Sequence, residues 1–156
     1  MAGTIEKKLA SLGITLPTPT SPIANYVPFT RSGNLLIVSG QLCFGPDGKL
    51  VAKGQLGAGV SIEDGQKAAR ACAVNLLAQI KAALGDLDHI KRVLRLGGFI
   101  SSAPGFTDGP KVMNGASDLM VDVFGDKGRH ARTTVGVSAL PADAAVEVEG
   151  LFEVGA

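Results

Sequence analysis

The sequence of 156 residues contains no tryptophan, a single tyrosine, two cysteines and two histidines. Its core must therefore be built from Ala, Val, Leu and Ile. Cys43 and Cys72 stand 29 positions apart in the sequence, form no CxxC motif and have no histidine nearby in it. They read as packed, reduced thiols, and with two distant histidines they supply too few ligands for a zinc site. No metal or cofactor is expected. No apolar run reaches the ~18 residues of a membrane span, and the N-terminus has no apolar export segment, so a cytoplasmic protein with no membrane partner is expected. Fifteen basic residues face 14 acidic ones with no basic block, so there is no electrostatic footprint for nucleic acid. Gly45-Pro-Asp-Gly48 is a turn rather than a phosphate loop, because no strand–GxGxxG–helix context surrounds it. No Ser, Cys or Lys lies in a nucleophile motif, which leaves covalent catalysis without support.

What is present is apolar and patterned. Hydrophobic residues make up 46% and the mean hydropathy is +0.27, enough for one domain with its own core. Residues 4–12 read as a short helix that Thr4 can cap, with Ile5, Leu9 and Leu12 on one stripe and Gly13 as its stop. Three prolines between Thr15 and Pro22 make an extended connector. Tyr26–Arg31 and Leu35–Ser39 read as strands joined by a hairpin turn at Ser32-Gly33-Asn34, and Leu50–Ala52 as a third short strand. Ser61 caps a long helix whose apolar stripe runs through Ala69, Cys72, Ala73, Leu76, Leu77, Ile80 and Leu84, and Gly85 ends it. Ile90–Ser101 is a strand partly buried on both faces, in which Gly97 and Gly98 mark either a bulge or a close backbone approach. Asp108-Gly-Pro110 opens a second long helix that Gly125 closes.

The last stretch is the most telling. Residues 131–139 are rich in Thr and Val, Leu140–Ala144 breaks the run, and residues 145–154 alternate strictly. Val146, Val148, Phe152 and Val154 point one way; Glu147, Glu149, Leu151 and Glu153 point the other. Two amphipathic helices can cover one face of one sheet, which makes an α+β domain. By residue type alone, Arg132 is a solvated or ion-paired strand arginine, or a carboxylate clamp whose planar fork matches two oxygens. Periodicity cannot choose among the three glutamates. His89 reads as a surface residue, and His130 as surface or rim of a pocket.

Ala131-Arg132-Thr133-Thr134, Ala139-Leu140-Pro141 and Val146-Glu147-Val148-Glu149 together resemble the C-terminal signature of the RidA (YjgF) family of enamine/imine deaminases. Ala24-Asn25-Tyr26-Val27, Val38-Ser39-Gly40-Gln41-Leu42 and Asn114 match further family positions, so the resemblance runs from about residue 22 to 154. It implies a RidA-like domain over 22–156, preceded by a helix and Pro-rich connector over 1–21. It also implies a chorismate mutase-like sheet backed by two helices, a homotrimer with sites between subunits, and a small substrate bearing a carboxylate. The matching residues would be Arg132 and Glu147 as catalytic groups, with Tyr26, Ser39, Gly40, Asn114 and Thr134 lining the pocket. The implied activity is cofactor-independent hydrolysis of 2-imino or enamino acids. A non-catalytic carboxylate-binding trimer, and the ribonuclease or translation-inhibitor label attached to the family, are the alternatives. Two departures stand out: Thr134 replaces a common cysteine, and His130 a common proline.

Overall fold

The last strand shows why the chain folds as it does. Val146–Val154 alternates between buried and half-buried residues along its whole length, as a strand covered on one face must. The computed structural model describes residues 3–19, 21, 22 and 24–155. In chain order these form α1 (Thr4–Ser11), β1 (Phe29–Ser32), β2 (Leu35–Leu42), β3 (Gln55–Leu56), β4 (Gly59–Val60), α2 (Ile62–Leu84), β5 (Ile90–Ser101), α3 (Gly109–Phe124), β6 (Ala131–Val137) and β7 (Val146–Val154). Five strands make one mixed sheet in the order β1-β2-β7-β5-β6. β7 lies at its centre, antiparallel to both β2 and β5, while β6 runs parallel to β5 at one edge. Parallel neighbours need a crossover, and α3 provides it.

β6 and β7 are consecutive and separated only by the Pro141 turn, yet β5 lies between them. Their side chains are therefore never direct neighbours. α2 and α3 cover one face, where Leu36, Val38, Leu96, Ile100, Val146, Val148 and Phe152 are buried against Leu76, Leu77, Met113 and Met120. The predicted cap of α2 is present: Ser61 Oγ accepts the Asp64 N–H at 3.1 Å. The two helices approach closely at Gly115, where a Cβ would run into the Gln66 carbonyl oxygen. Among the described residues, no helix lies on the other face of the sheet. Leu35, Ile37 and Val135 are exposed on it.

Three local expectations are corrected. Gly3, not Thr4, caps α1. The Thr4 and Ile5 N–H groups both donate to the Asp88 carboxylate at 2.8 Å, so a distant carboxylate does the work a local hydroxyl could have done. The first sheet strand begins at Phe29 rather than Tyr26, because Pro28 has no N–H to give the ladder. Leu50–Ala52 forms no strand; Leu50 makes one isolated bridge with Phe44.

Candidate active site

Arg132 lies on edge strand β6, paired with Leu96 of β5, and so shares the helix-covered face with that buried leucine. α3 presents one face to it. Pro110, Asn114 and Ser117 recur at i, i+4 and i+7, which stacks them along one side of the helix. Arg132 Nη1 donates to Asn114 Oδ1 at 2.9 Å and to Ser117 Oγ at 3.2 Å, and Nη2 donates to the Pro110 carbonyl at 3.4 Å. Those contacts use both Nη1 hydrogens and one of the two on Nη2. Nε–H and Nη2 form the guanidinium edge opposite Nη1, the edge that grips a carboxylate side-on. Thr134, two residues further along the same face, has a buried Oγ1 with no hydrogen-bond partner among the described residues. A buried hydroxyl in that state calls for a ligand or water.

His130 adjoins this cluster. Its Nδ1 lies 2.6 Å from the Gly128 carbonyl and its Nε2 2.9 Å from Ser117 Oγ. Burial pushes its pKa below the ordinary value, and the Arg132 charge adds to the effect against the opposing pull of the Gly128 carbonyl. A cleft of about 270 Å³ opens here, lined by Ser117, Asp118, Val121, Arg129, His130 and Arg132. Ser117 escaped the sequence reading. Its signal was the α3 spacing with Asn114, which becomes informative only once β6 is known to lie alongside.

Glu147 is placed elsewhere. It pairs with Phe99 on β5 and Leu42 on β2. Phe99 is three positions from Leu96 on an unbroken stretch of β5, so the two residues face opposite sides of the sheet. Glu147 therefore lies on the open face. Burial, with the nearby charge of Glu149, raises its carboxyl above the ordinary range. Glu149 itself faces Arg95 at 3.6 Å. The β2–β7 register shifts between Val38 and Gln41, which makes Ser39-Gly40 an irregular segment. A Cβ at Gly40 would meet Glu147 Oε1, with Glu147 Cδ at 3.0 Å, so the glycine is what lets the carboxylate lie against the backbone. Ser39 Oγ donates to the Val27 carbonyl at 2.9 Å, tethering the exposed segment that carries Tyr26.

The expected residues thus fall into two groups. Arg132 and Asn114 meet on the helix face, with Thr134 two residues along the same strand; Gly40 and Glu147 meet on the open face, with Ser39 and Tyr26 close by along the chain. A single chain does not bring the groups together.

Known proteins share this architecture. A model of the family described as "YjgF/chorismate mutase-like, putative endoribonuclease" matches residues 6–153. The chain belongs to the YjgF/chorismate mutase-like family. Protein TCP17 of Trypanosoma cruzi is 50% identical over 153 residues, covering 97% of this chain and 95% of its own. Among solved YjgF-like structures, Atu1372 of Agrobacterium tumefaciens, described as of unknown function, is 51% identical with a TM-score of 0.90, covering 96% of this chain and 92% of that one. A Shewanella oneidensis protein carrying the same endoribonuclease description is 35% identical with a TM-score of 0.93, covering 97% of this chain and 100% of its own. The YjgF match begins within α1, which is tied to α2 by a Glu6–Lys81 ion pair of 2.8 Å and buries Leu9 in the core.

Proposed function

We propose that this YjgF-family protein is a hydrolytic deaminase that converts reactive 2-imino or enamino acids, such as those derived from 2-aminoacrylate, to 2-keto acids and ammonia. The observation that carries the reading is the state of Arg132. Its Nη1 end is spent on Asn114 and Ser117, which aims the Nε/Nη2 edge at a ligand. Thr134, two residues along the same strand face, would shape the pocket wall. A protonated imine carbon is already electrophilic, so positioning supplies most of the catalysis. Water adds to that carbon and its proton passes to Glu147. Glu147 then returns the proton to the amino nitrogen, the C–N bond breaks to release ammonia, and the hydroxyl proton left on the new carbonyl passes to that ammonia as ammonium. A carboxyl held above its ordinary range suits both halves of that exchange.

The reading requires a site shared by two copies, because Arg132 and Glu147 face opposite sides of one sheet. The open face supports this. Leu35, Ile37 and Val135 leave an apolar surface that soluble monomers rarely keep bare, and a homotrimer packing such faces inward would cover it. A trimer that only binds small carboxylates would use Arg132 without Glu147. Endoribonuclease activity, the description attached to the family, finds little support in an even charge balance and a single tyrosine. The test is ammonia release from an imine generated in situ, compared with Glu147→Gln. Turnover lost in the variant supports the deaminase. Pyruvate binding with no turnover in either protein would leave the binding trimer, and RNA cleavage that depends on Arg132 would replace both.

A further inference from the structure

The Ser117–His130 pair has a definite polarity. A carbonyl oxygen can only accept, so the 2.6 Å contact with Gly128 requires His130 Nδ1 to carry the hydrogen. Arg132 Nη1 can only donate, so Ser117 Oγ accepts from it at 3.2 Å and has its own hydrogen left to give. On a neutral ring with its hydrogen on Nδ1, that hydrogen goes to the bare His130 Nε2, 2.9 Å away. Protonating the ring would set a second cation across one oxygen from the guanidinium, and burial together with Arg132 does hold the imidazole below its ordinary pKa. The chain therefore runs one way, from Arg132 to Ser117 to His130 to the Gly128 carbonyl. Its far end is fixed, because Gly128 packs so tightly that a Cβ there would meet the Met120 carbonyl oxygen, with Val121 Cα at 3.0 Å. Arg92 caps the neighbouring Arg129 carbonyl at 2.8 Å. Asp126 faces Arg129 at 3.4 Å, and Asp118 lines the same cleft.

We infer that Ser117 and His130 are positioning residues for Arg132: they lock the Nη1 end of the guanidinium so that its Nε/Nη2 edge is presented, already oriented, to a substrate carboxylate. This rests on the carboxylate-binding role proposed for Arg132. Neither residue touches the substrate. A long side chain left to itself samples many rotamers, and a relay ending in rigid backbone removes that freedom before binding.

The test measures pyruvate affinity for the wild-type protein and for Ser117→Ala, Ser117→Thr, His130→Gln and Arg132→Ala, together with the double variant Ser117→Ala/Arg132→Ala. Alanine suits a helix interior, so Ser117→Ala should fold. Affinity is expected to fall about tenfold in Ser117→Ala, the size of one hydrogen bond to a charged group, and to recover in Ser117→Thr, which keeps the hydroxyl. Ser117→Ala should add nothing once Arg132 is absent, a coupling that a purely structural role would not show. Nitrogen NMR should find His130 neutral with its hydrogen on Nδ1 in the wild type, and should find the Nε2 signal shifted in Ser117→Ala. A Ser117→Ala protein that binds pyruvate within about twofold of wild type while Arg132→Ala does not would overturn the inference alone. Unchanged binding in Arg132→Ala would overturn the carboxylate site and this inference together.

Discussion

On the helix side of the sheet Arg132 donates to Asn114, Ser117 and Pro110. On the open side no described residue hydrogen-bonds the Glu147 carboxylate, which lies against Gly40 with Glu149 as the neighbouring charge. The arginine is organised by its own chain before anything binds. The glutamate is shaped by a missing side chain and left with its polar atoms unspent. One half of the candidate site is therefore preformed, while the other depends on what is laid over the open face. The contrast also separates two tasks: a preformed cation suits ground-state recognition, whereas a carboxyl with a raised pKa suits proton transfer.

The sharpest way to break this contrast is to neutralise Glu147. In Glu147→Gln, kcat should fall about 10²–10⁴-fold, the usual loss of a general acid–base, while pyruvate affinity changes little. Steady-state kinetics beside isothermal calorimetry check it, and a matching loss of affinity would merge the two roles. Next comes Arg132→Ala, which should lose about 30- to 1,000-fold in kcat/KM through the missing bidentate contact. Arg132→Lys should regain only part, because an ammonium cannot fork onto two oxygens.

Two glycines sharpen the comparison from the stability side. At Gly115 a Cβ collides with the Gln66 backbone, whereas at Gly40 it meets only the far end of the Glu147 side chain. Gly115→Ala should therefore cost about 1–3 kcal/mol in chemical denaturation, as overpacking does. Gly40→Ala should leave stability nearly unchanged, yet lower turnover by displacing the carboxylate.

The smallest effects are in pH. Glu147 is held above its ordinary value of 4.5, so in that window the folded state binds the proton more tightly, and stability is lost as pH rises through the folded pKa. His130 is held below its ordinary value of 6.5, so the unfolded state takes its proton first, and stability is lost as pH falls through the folded pKa. Thermal melts between about pH 4 and pH 8 should thus show opposite slopes removed by Glu147→Gln and by His130→Gln. Both variants changing the melting profile in the same direction would contradict the assigned environments.

Much of the scaffold was legible from sequence because it is local. The Ser61 cap, the α2 stripe, the α3 boundaries and the alternation of Val146–Val154 are each written in a window of a few residues. Periodicity also put Glu147 on the face opposite Val146 and Val148, as found. What stayed hidden was non-local. Nothing between Val137 and Val146 announces that β5 separates the two last strands, since that depends on the crossover through α3. The Ser117–His130 contact spans 13 positions between a helix and a loop, and Ser117 sits in no motif. Thr4 lost its capping role to Asp88, a carboxylate 84 positions away.

The central claim, that Arg132 of one protomer and Glu147 of another make one site, is tested most directly by mixing the two inactive variants. Arg132→Ala and Glu147→Gln chains are co-expressed and the mixed oligomers isolated, with composition checked by native mass spectrometry. In a trimeric ring with head-to-tail interfaces, each mixed oligomer keeps both groups intact at about a third of its interfaces. Cross-protomer convergence predicts that imine hydrolysis returns to a comparable fraction of the wild-type rate. Mixed oligomers that remain as inactive as either parent would contradict it.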